Sequence, residues 1–178
     1  MIALFLFGVM PSTVVAQSGT IEVGIGTVVP VEAIGADRSA GPFVRAGVIR
    51  GNPTRVVRLR LDGEAMSMPG NPAPNRSAEK TGNLRSVGFV TTVVVAPPRL
   101  RVAPYFLIGA GVHLMSITGA DSPNNFVGGV RSGLGVRVTT ARYRISLESS
   151  AHPNLSDRAT GRDYKLDSYV PITLAIVF

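Results

Sequence analysis

The 178-residue sequence has no cysteine, no tryptophan and only two histidines. Without cysteine the chain can form neither disulfide bonds nor thiolate metal sites. The histidines, His113 and His152, show no spacing to carboxylates that would predict a metal site, so no metal or other cofactor is expected. Long apolar runs are also missing. Beyond residue 16, no stretch approaches the roughly 20 apolar residues that a membrane-spanning helix needs.

Glycine, proline and β-branched residues are abundant instead. The 20 glycines and 13 prolines are scattered along the chain, which is poor material for helices. Runs rich in Val, Ile, Thr and aromatic residues alternate with turn clusters, a pattern typical of strands. We predict eight strands, over residues 20–31, 42–50, 54–62, 84–96, 100–115, 125–139, 141–150 and 168–178. Most are long enough to cross a bilayer as tilted strands, which takes roughly 9–11 residues.

The first 16 residues resemble a secretory signal peptide. Residues 1–10 are almost unbroken apolar sequence, Pro11 follows as a breaker, and small residues end in a plausible cleavage point after Ala16. No Lys or Arg precedes the apolar core, and a start codon placed too far downstream would explain that departure. A buried first strand and a helical anchor are the alternatives. We expect a signal peptide over residues 1–16 and one barrel domain over residues 17–178.

The predicted connections fall into two classes that alternate along the chain. Three are tight and four are longer and polar: residues 51–53, 97–99 and 140 against residues 32–41, 63–83, 116–124 and 151–167. In membrane-spanning β-barrels short turns lie on the periplasmic side and long loops lie outside. A soluble sandwich has no reason to sort its connections in this way.

Alternation within the strands separates an apolar face from a face that carries arginine. In residues 54–62, valine and leucine alternate with Arg58, Arg60 and Asp62. An arginine that faces lipid at mid-bilayer costs about 2–4 kcal/mol, so in a membrane barrel these side chains point inward. A soluble barrel would invert the pattern. Glycine and serine beside the arginines suit the crowded interior of an eight-stranded barrel and favour the membrane arrangement.

The predicted lumen therefore holds more arginines than carboxylates. We hypothesise an internal ion-pair network around Glu148 and Arg144, with the surplus arginines solvated by trapped water or a bound anion. A hydrated polar core without such a network is the alternative. The expected members of the lumen network are Glu22, Arg45, Arg58, Arg60, Arg131, Arg144 and Glu148.

The net charge is +7, and the surplus of positive residues lies on the strands and beside the short turns. The arginines beside the turns are expected to form a ring that reaches lipid head groups. They are Arg50, Arg55, Arg99, Arg101, Arg137 and Arg142. A nucleic-acid surface would instead cluster Lys and Arg with exposed aromatics, so no nucleic-acid partner is expected. Aromatic residues that could lie near the two membrane interfaces are Phe43, Phe126, Tyr143, Tyr169 and Phe178, with ordinary strand aromatics as the alternative.

The last ten residues carry the most specific signal. Alternate positions are apolar up to the terminal Phe178, as a closed barrel needs when its last strand pairs with its first. This ending resembles the C-terminal strand of bacterial outer-membrane β-barrel proteins. The resemblance implies an assembly signal that the outer-membrane assembly machinery reads, formed by Tyr169, Val170, Ile172, Leu174, Ile176 and Phe178.

The whole chain is similar in organisation to small barrels of the outer membrane protein A transmembrane or opacity type. The resemblance implies an all-β, eight-stranded antiparallel up-and-down transmembrane β-barrel, preceded by a cleavable signal peptide, in the bacterial outer membrane. It implies a structural or surface-exposed protein with long extracellular loops, and a monomer in contact with outer-membrane lipids and lipopolysaccharide. A narrow pore for small solutes and a lipid A-modifying enzyme are the alternatives.

One segment, residues 146–154, combines serine, histidine and a carboxylate, which could form a hydrolytic triad. It resembles the His-x-Ser-Asn segment of lipid A deacylases, but Asn154 stands where the required serine would be. Ser146, Ser150 and His152 also continue the inward face, whereas a lipid substrate arrives from outside. We therefore expect no catalytic site.

Overall fold

The computed structural model describes residues 19–31, 38–52, 54–71, 82–118, 125–155 and 168–178. Eight strands in this part of the chain form one closed antiparallel barrel. They are β1 Thr20–Val31, β2 Gly41–Arg50, β3 Val57–Met68, β4 Leu84–Val95, β5 Val102–Ile117, β6 Asn125–Thr139, β7 Arg144–Leu155 and β8 Ser168–Val177. None of the described residues forms a helix long and apolar enough to cross a membrane.

Each strand pairs with the next along the chain, and β1 closes the barrel by pairing with β8. Gly26 lies opposite Thr173 in that final pair, and the Phe178 amide donates a hydrogen bond to the Ile21 carbonyl at 2.8 Å. Closure leaves no unpaired sheet edge. The predicted all-β, eight-stranded up-and-down barrel is therefore confirmed, while the predicted signal peptide lies outside the described residues.

Two strands run at least five residues further than predicted. β3 continues to Met68 rather than ending at residue 62, and β7 continues to Leu155 rather than ending at residue 150. A polar connection was predicted from residue 63, but Glu64 is buried and keeps to the inward parity of Arg58 and Arg60. Residues 63–68 and 151–155 are therefore strand, which corrects the predicted loops.

The connections at the two ends of the barrel differ in length. At the end that holds Phe178, residues 51–56, 96–101 and 140–143 join the strands. The connections at the opposite end are longer, over residues 32–40, 69–83, 118–124 and 156–167. We call this opposite end the upper end. In the short connections Gly51 has φ 126° and Arg99 has φ 67°, and the first of these values favours a residue without Cβ.

The two faces of the strands are separated as predicted. Large apolar side chains lie on the outer wall of every strand, where Ile25 is 66 % exposed and Phe89 is 72 % exposed. The inward face instead carries charged and polar side chains, so that Arg60 is fully buried and Arg131 is 1 % exposed. A water-soluble protein buries apolar surface and exposes charge. This barrel has the opposite arrangement.

Clusters of apolar side chains lie in the lumen toward both ends. The upper apolar cluster consists of Val28, Phe43, Met66, Met68, Leu84 and Tyr169. The lower apolar cluster consists of Val94, Ala96, Tyr105 and Leu107. Most buried charged side chains lie between the two clusters, whereas Arg58 lies beside Val94 and Arg137 lies beside Tyr105.

Two of the five expected interface aromatics belong to the lumen instead. Phe43 is 2 % exposed and Tyr169 is 1 % exposed, both within the upper apolar cluster. Strand parity explains the correction, because alternate residues of a strand lie on the same face. Phe43 lies two residues before the inward Arg45. Tyr169 lies three residues before the outward Ile172 and is therefore on the inward face. Phe126, Tyr143 and Phe178 do lie exposed on the outer wall or at its rim.

Candidate functional site

Seven charged side chains from five strands meet at mid-height in the lumen, and we call them the central ion cluster. None is more than 5 % exposed. They are the carboxylates Glu22, Asp62, Glu64 and Glu148, and the guanidinium groups of Arg45, Arg60 and Arg131. Charges buried this deeply are stable only when they are paired and hydrogen-bonded.

Glu148 is the centre of this cluster. Its Oε1 atom accepts hydrogen bonds from Arg45 Nη1 at 2.8 Å and from Arg131 Nη2 at 2.6 Å. Arg60 donates to both oxygens, at 3.0 Å and 2.8 Å, and the Tyr105 hydroxyl donates to Oε2 at 3.0 Å. Charge-assisted bonds of this length are the strong class of protein hydrogen bonds. The Glu148 carboxylate therefore links β7 to arginines on three other strands, β2, β3 and β6.

The other carboxylates extend the cluster around Glu148. Glu22 Oε1 accepts a hydrogen bond from Arg45. Asp62 Oδ2 accepts from Arg60 Nε at 2.8 Å and from Arg131 Nη1 at 3.1 Å. Each arginine of the cluster therefore bonds at least two carboxylates, which connects the inner walls of β1, β2, β3, β6 and β7.

Two residues expected in the lumen network lie apart from it. Arg144 is half-buried at the start of β7 and makes no ion pair with Glu148, which corrects the hypothesis that these two residues form its centre. Four residues of extended strand separate them, a distance of about 13 Å. Arg58 is buried nearer the lower end than Arg60.

Arg137 was expected at the rim and lies inside the barrel. Its side chain is 6 % exposed, and its guanidinium carbon lies 5.3 Å from the centre of the Tyr105 ring. This is a cation–π contact within the usual range. The rim residues Arg50, Arg55, Arg99, Arg101 and Arg142 are exposed at the lower end, as expected.

Glycines make the space that these large inward side chains need. Gly135 pairs with Tyr105 on one side and with Glu148 on the other. A Cβ atom on this glycine would collide with the Tyr105 ring. Gly88 likewise faces His113, and a Cβ there would meet the imidazole ring. Gly88 and Gly135 therefore mark positions where a ring on the neighbouring strand needs the space that a Cβ atom would fill.

A second group lies above the central ion cluster, and we call it the histidine pocket. Its members are Glu64, Ser86, His113, Ser150, His152 and Tyr169, all 5 % exposed or less. Glu64 Oε1 lies 3.7 Å from His113 Nε2 and 3.6 Å from His152 Nδ1. The Tyr169 ring stacks on the His152 ring with centroids 4.8 Å apart. The sequence shows no carboxylate at a suitable spacing from either histidine, whereas the fold places Glu64 beside both.

Each imidazole has its second nitrogen beside a serine. His152 Nε2 lies 3.1 Å from Ser150 Oγ, and His113 Nδ1 lies 3.4 Å from Ser86 Oγ. Inward parity was the available signal for both histidines. Glu64 could not be added from sequence, because residues 63–68 had been assigned to a loop.

Ser150, His152 and Glu64 follow one another in the order of a hydrolytic triad, in which a histidine links a serine to a carboxylate. Their surroundings do not suit a lipid substrate. Ser150 is 3 % exposed and faces the lumen, whereas acyl chains would contact the outer wall. Ser146, the other serine of this strand face, points to Glu22 Oε1 at 3.4 Å.

Comparisons with known proteins support the fold. No protein-family model matches the chain, and no curated protein matches it significantly. Among solved structures, the chain is similar to Neisserial surface protein A (NspA), with a TM-score of 0.62 and 10 % identity over 89 % of this chain and 95 % of that one. The outer membrane enzyme PagL gives a TM-score of 0.47 and 16 % identity over 89 % and 98 %. The likeness to NspA shows a shared small eight-stranded barrel fold.

Proposed function

We propose that the chain is a bacterial outer-membrane β-barrel with a structural or surface-exposed role. The observation that carries the proposal is the inversion of its two faces. Leu134 and Phe89 are 67 % and 72 % exposed on the outer wall, while the seven charges of the central ion cluster are buried. Contiguous exposed apolar surface on all sides would make a soluble barrel aggregate, whereas a bilayer solvates it.

Strand length and rim charge support the same placement. The strands contain between 10 and 16 residues, and a tilted strand crosses a bilayer with roughly 9–11. The exposed arginines at the lower end, such as Arg50 and Arg99, can reach phospholipid head groups there. The lower end would then face the periplasm, and the longer connections would face outside.

The partners we propose are those of such a barrel. Outer-membrane phospholipid and lipopolysaccharide would cover the apolar wall. The assembly machinery would read the last strand, in which Ile172, Leu174, Ile176 and Phe178 project outward from the closed sheet. We propose a monomer, because closure of β1 on β8 satisfies the strand edges within one chain.

Heat-dependent gel mobility tests the proposal. We expect the protein to be recovered with the outer-membrane fraction and to migrate differently in detergent gels before and after boiling, because the closed hydrogen-bonded barrel resists detergent until it is heated. The control is the same protein unfolded in urea before loading. Recovery in the soluble fraction with one mobility in all samples would contradict the proposal.

We propose that the lumen does not conduct, in contrast to the alternative of a narrow pore. A solute would have to pass the upper apolar cluster, the central ion cluster and the lower apolar cluster in turn. Ion entry into a lumen closed by Met68, Leu107 and Val94, each fully buried, would require displacement of packed side chains.

Planar bilayer recordings test this second point. After insertion of the refolded protein, we expect no stable unitary conductance steps, because buried side chains of both apolar clusters and of the central ion cluster fill the described lumen. A porin inserted under the same conditions is the positive control. Reproducible steps of one amplitude that scale with salt concentration would favour the pore instead.

We assign no enzymatic role to the barrel. The triad-like order of Ser150, His152 and Glu64 is the feature that favours one, but the serine faces a packed lumen. A lipid A-modifying enzyme needs its nucleophile where acyl chains can reach it. The outward Ser149 pairs with Leu134 and Ile172 across the sheet, and neither of these side chains can act as a general base.

A further inference from the structure

We propose that the histidine pocket binds one divalent transition-metal ion, for which Zn²⁺ is the best match. Its ligands would be Glu64 Oε1, His113 Nε2 and His152 Nδ1, three atoms that lie within 4.8 Å of one another. The carboxylate oxygen lies 3.7 Å and 3.6 Å from the two nitrogens. These separations are too long for N–H···O hydrogen bonds, which are about 2.7–3.2 Å.

The same separations suit a shared cation. Ligands that each lie about 2.0–2.1 Å from a tetrahedral Zn²⁺ are about 3.3 Å from one another. Small side-chain movements would bring the carboxylate oxygen and both nitrogens to that spacing. The three ligands come from β3, β5 and β7, so rigid strands rather than loops hold them.

The serines orient both rings in the way that metal-bound histidines require. A histidine ligand normally donates a hydrogen bond from its second ring nitrogen to a neighbouring group. Here the second nitrogens are His152 Nε2, 3.1 Å from Ser150 Oγ, and His113 Nδ1, 3.4 Å from Ser86 Oγ. When these nitrogens donate, the lone pairs of the other two nitrogens face the Glu64 carboxylate. In that tautomer the two nitrogens and the carboxylate oxygen are all acceptors, and a cation between them would bind all three.

Glu64 has weaker hydrogen-bond partners than the other carboxylates of the central ion cluster. The three guanidinium groups of this cluster bond mainly to Glu22, Asp62 and Glu148, and the buried Arg58 and Arg137 lie nearer the lower end. In the described part of the chain, Glu64 Oε2 bonds only Arg131, at 3.4 Å, and that arginine also bonds Asp62 and Glu148 at shorter distances. Glu64 Oε1 is buried without a hydrogen-bond partner among the described residues, which is costly in a dry interior.

The donor set selects the class of ion. Two imidazole nitrogens and one carboxylate suit Zn²⁺ and its transition-metal neighbours, whereas Ca²⁺ and Mg²⁺ prefer oxygen ligands alone. Three protein ligands would leave one coordination position for water. The hydroxyl of Tyr169, whose ring stacks on His152, is buried without a hydrogen-bond partner among the described residues. The site lies within the barrel itself, so the inference is independent of the proposed membrane placement.

The test uses the full-length chain, stripped of metal with a chelator and refolded in detergent. Zn²⁺ is added either before or after refolding, since the upper apolar cluster covers the pocket. Bound metal is counted by mass spectrometry, and affinity is measured by competition with a chromophoric chelator. We expect one Zn²⁺ per barrel in at least one of the two orders of addition.

Three variants and one control locate the ion. His152→Gln and Glu64→Gln should each lower the affinity for Zn²⁺ at least 100-fold. A combined His113→Gln and His152→Gln chain has no histidine left and should retain no stoichiometric Zn²⁺. Ser149→Ala, which alters the outward neighbour of Ser150, should bind like the original chain. Gel mobility before and after boiling verifies that each variant is folded.

Cobalt substitution keeps the proposal testable if the variants fail to fold. The unaltered barrel loaded with Co²⁺ should give the intense visible absorption of four-coordinate cobalt, and X-ray absorption should show imidazole ligands. Absence of bound Zn²⁺ in both orders of addition would overturn the proposal. Equal binding by the histidine-free chain, or a cobalt spectrum of oxygen ligands alone, would overturn it as well.

Discussion

Replacing Glu148 by alanine is expected to lower the free energy of unfolding by about 3–5 kcal/mol, the usual cost of removing one partner from a buried ion pair. The substitution takes away the carboxylate that bonds Arg45, Arg60 and Arg131. Three guanidinium groups, none more than 2 % exposed, would then share the remaining carboxylates, and Tyr105 would lose its acceptor. Urea unfolding of the refolded barrel in detergent micelles, followed by gel mobility, measures the change.

The adjacent residue provides the matched control. Ser149→Ala lies one position further along β7 and faces outward, so its effect should stay within about 0.5 kcal/mol. Glu148→Gln keeps the size of the side chain but removes its charge, and its effect should fall between the other two. A Glu148→Ala barrel as stable as the original would show that the ion cluster contributes nothing to stability.

The architecture of this barrel could be predicted because strand alternation is a local property. Arg58, Arg60 and Asp62 alternate with apolar residues in β3, and the same parity decides which face is inward wherever the strand continues. The apolar last strand predicted closure on the first strand, and the Phe178 amide does bond the Ile21 carbonyl. The inward face and the closure could both be predicted without knowing which residues meet across the lumen.

The contacts across the lumen could not be predicted from local pattern. Glu64, His113 and His152 lie on strands that are not adjacent, so their meeting depends on the stagger of every strand pair between them. The lumen network was expected around Glu148 and Arg144, whereas the partners of Glu148 come from other strands.

Arginine is expected to be tolerated on the inward face of a strand and to destabilise the barrel on the outward face. Replacing Leu147 by arginine, one position before Glu148, should destabilise the barrel by about 2–4 kcal/mol in a bilayer, as arginine does near the midplane of other membrane barrels. Leu147 is 55 % exposed on the outer wall, and its strand neighbours Val136 and Leu174 are also apolar and outward. Folding yield and urea midpoints in phosphatidylcholine vesicles measure the effect.

Comparing the destabilisation by arginine at two depths shows whether lipid or water surrounds the outer wall. Tyr143→Arg, at the exposed lower rim, should cost only about 0–1 kcal/mol because the side chain reaches head groups there. In a soluble barrel both positions would meet water, and surface substitutions would stay within about 0.5 kcal/mol. Equal and small effects of the two arginines would therefore contradict the membrane placement, even though Leu147 and Glu148 would still lie on opposite sides of the same strand.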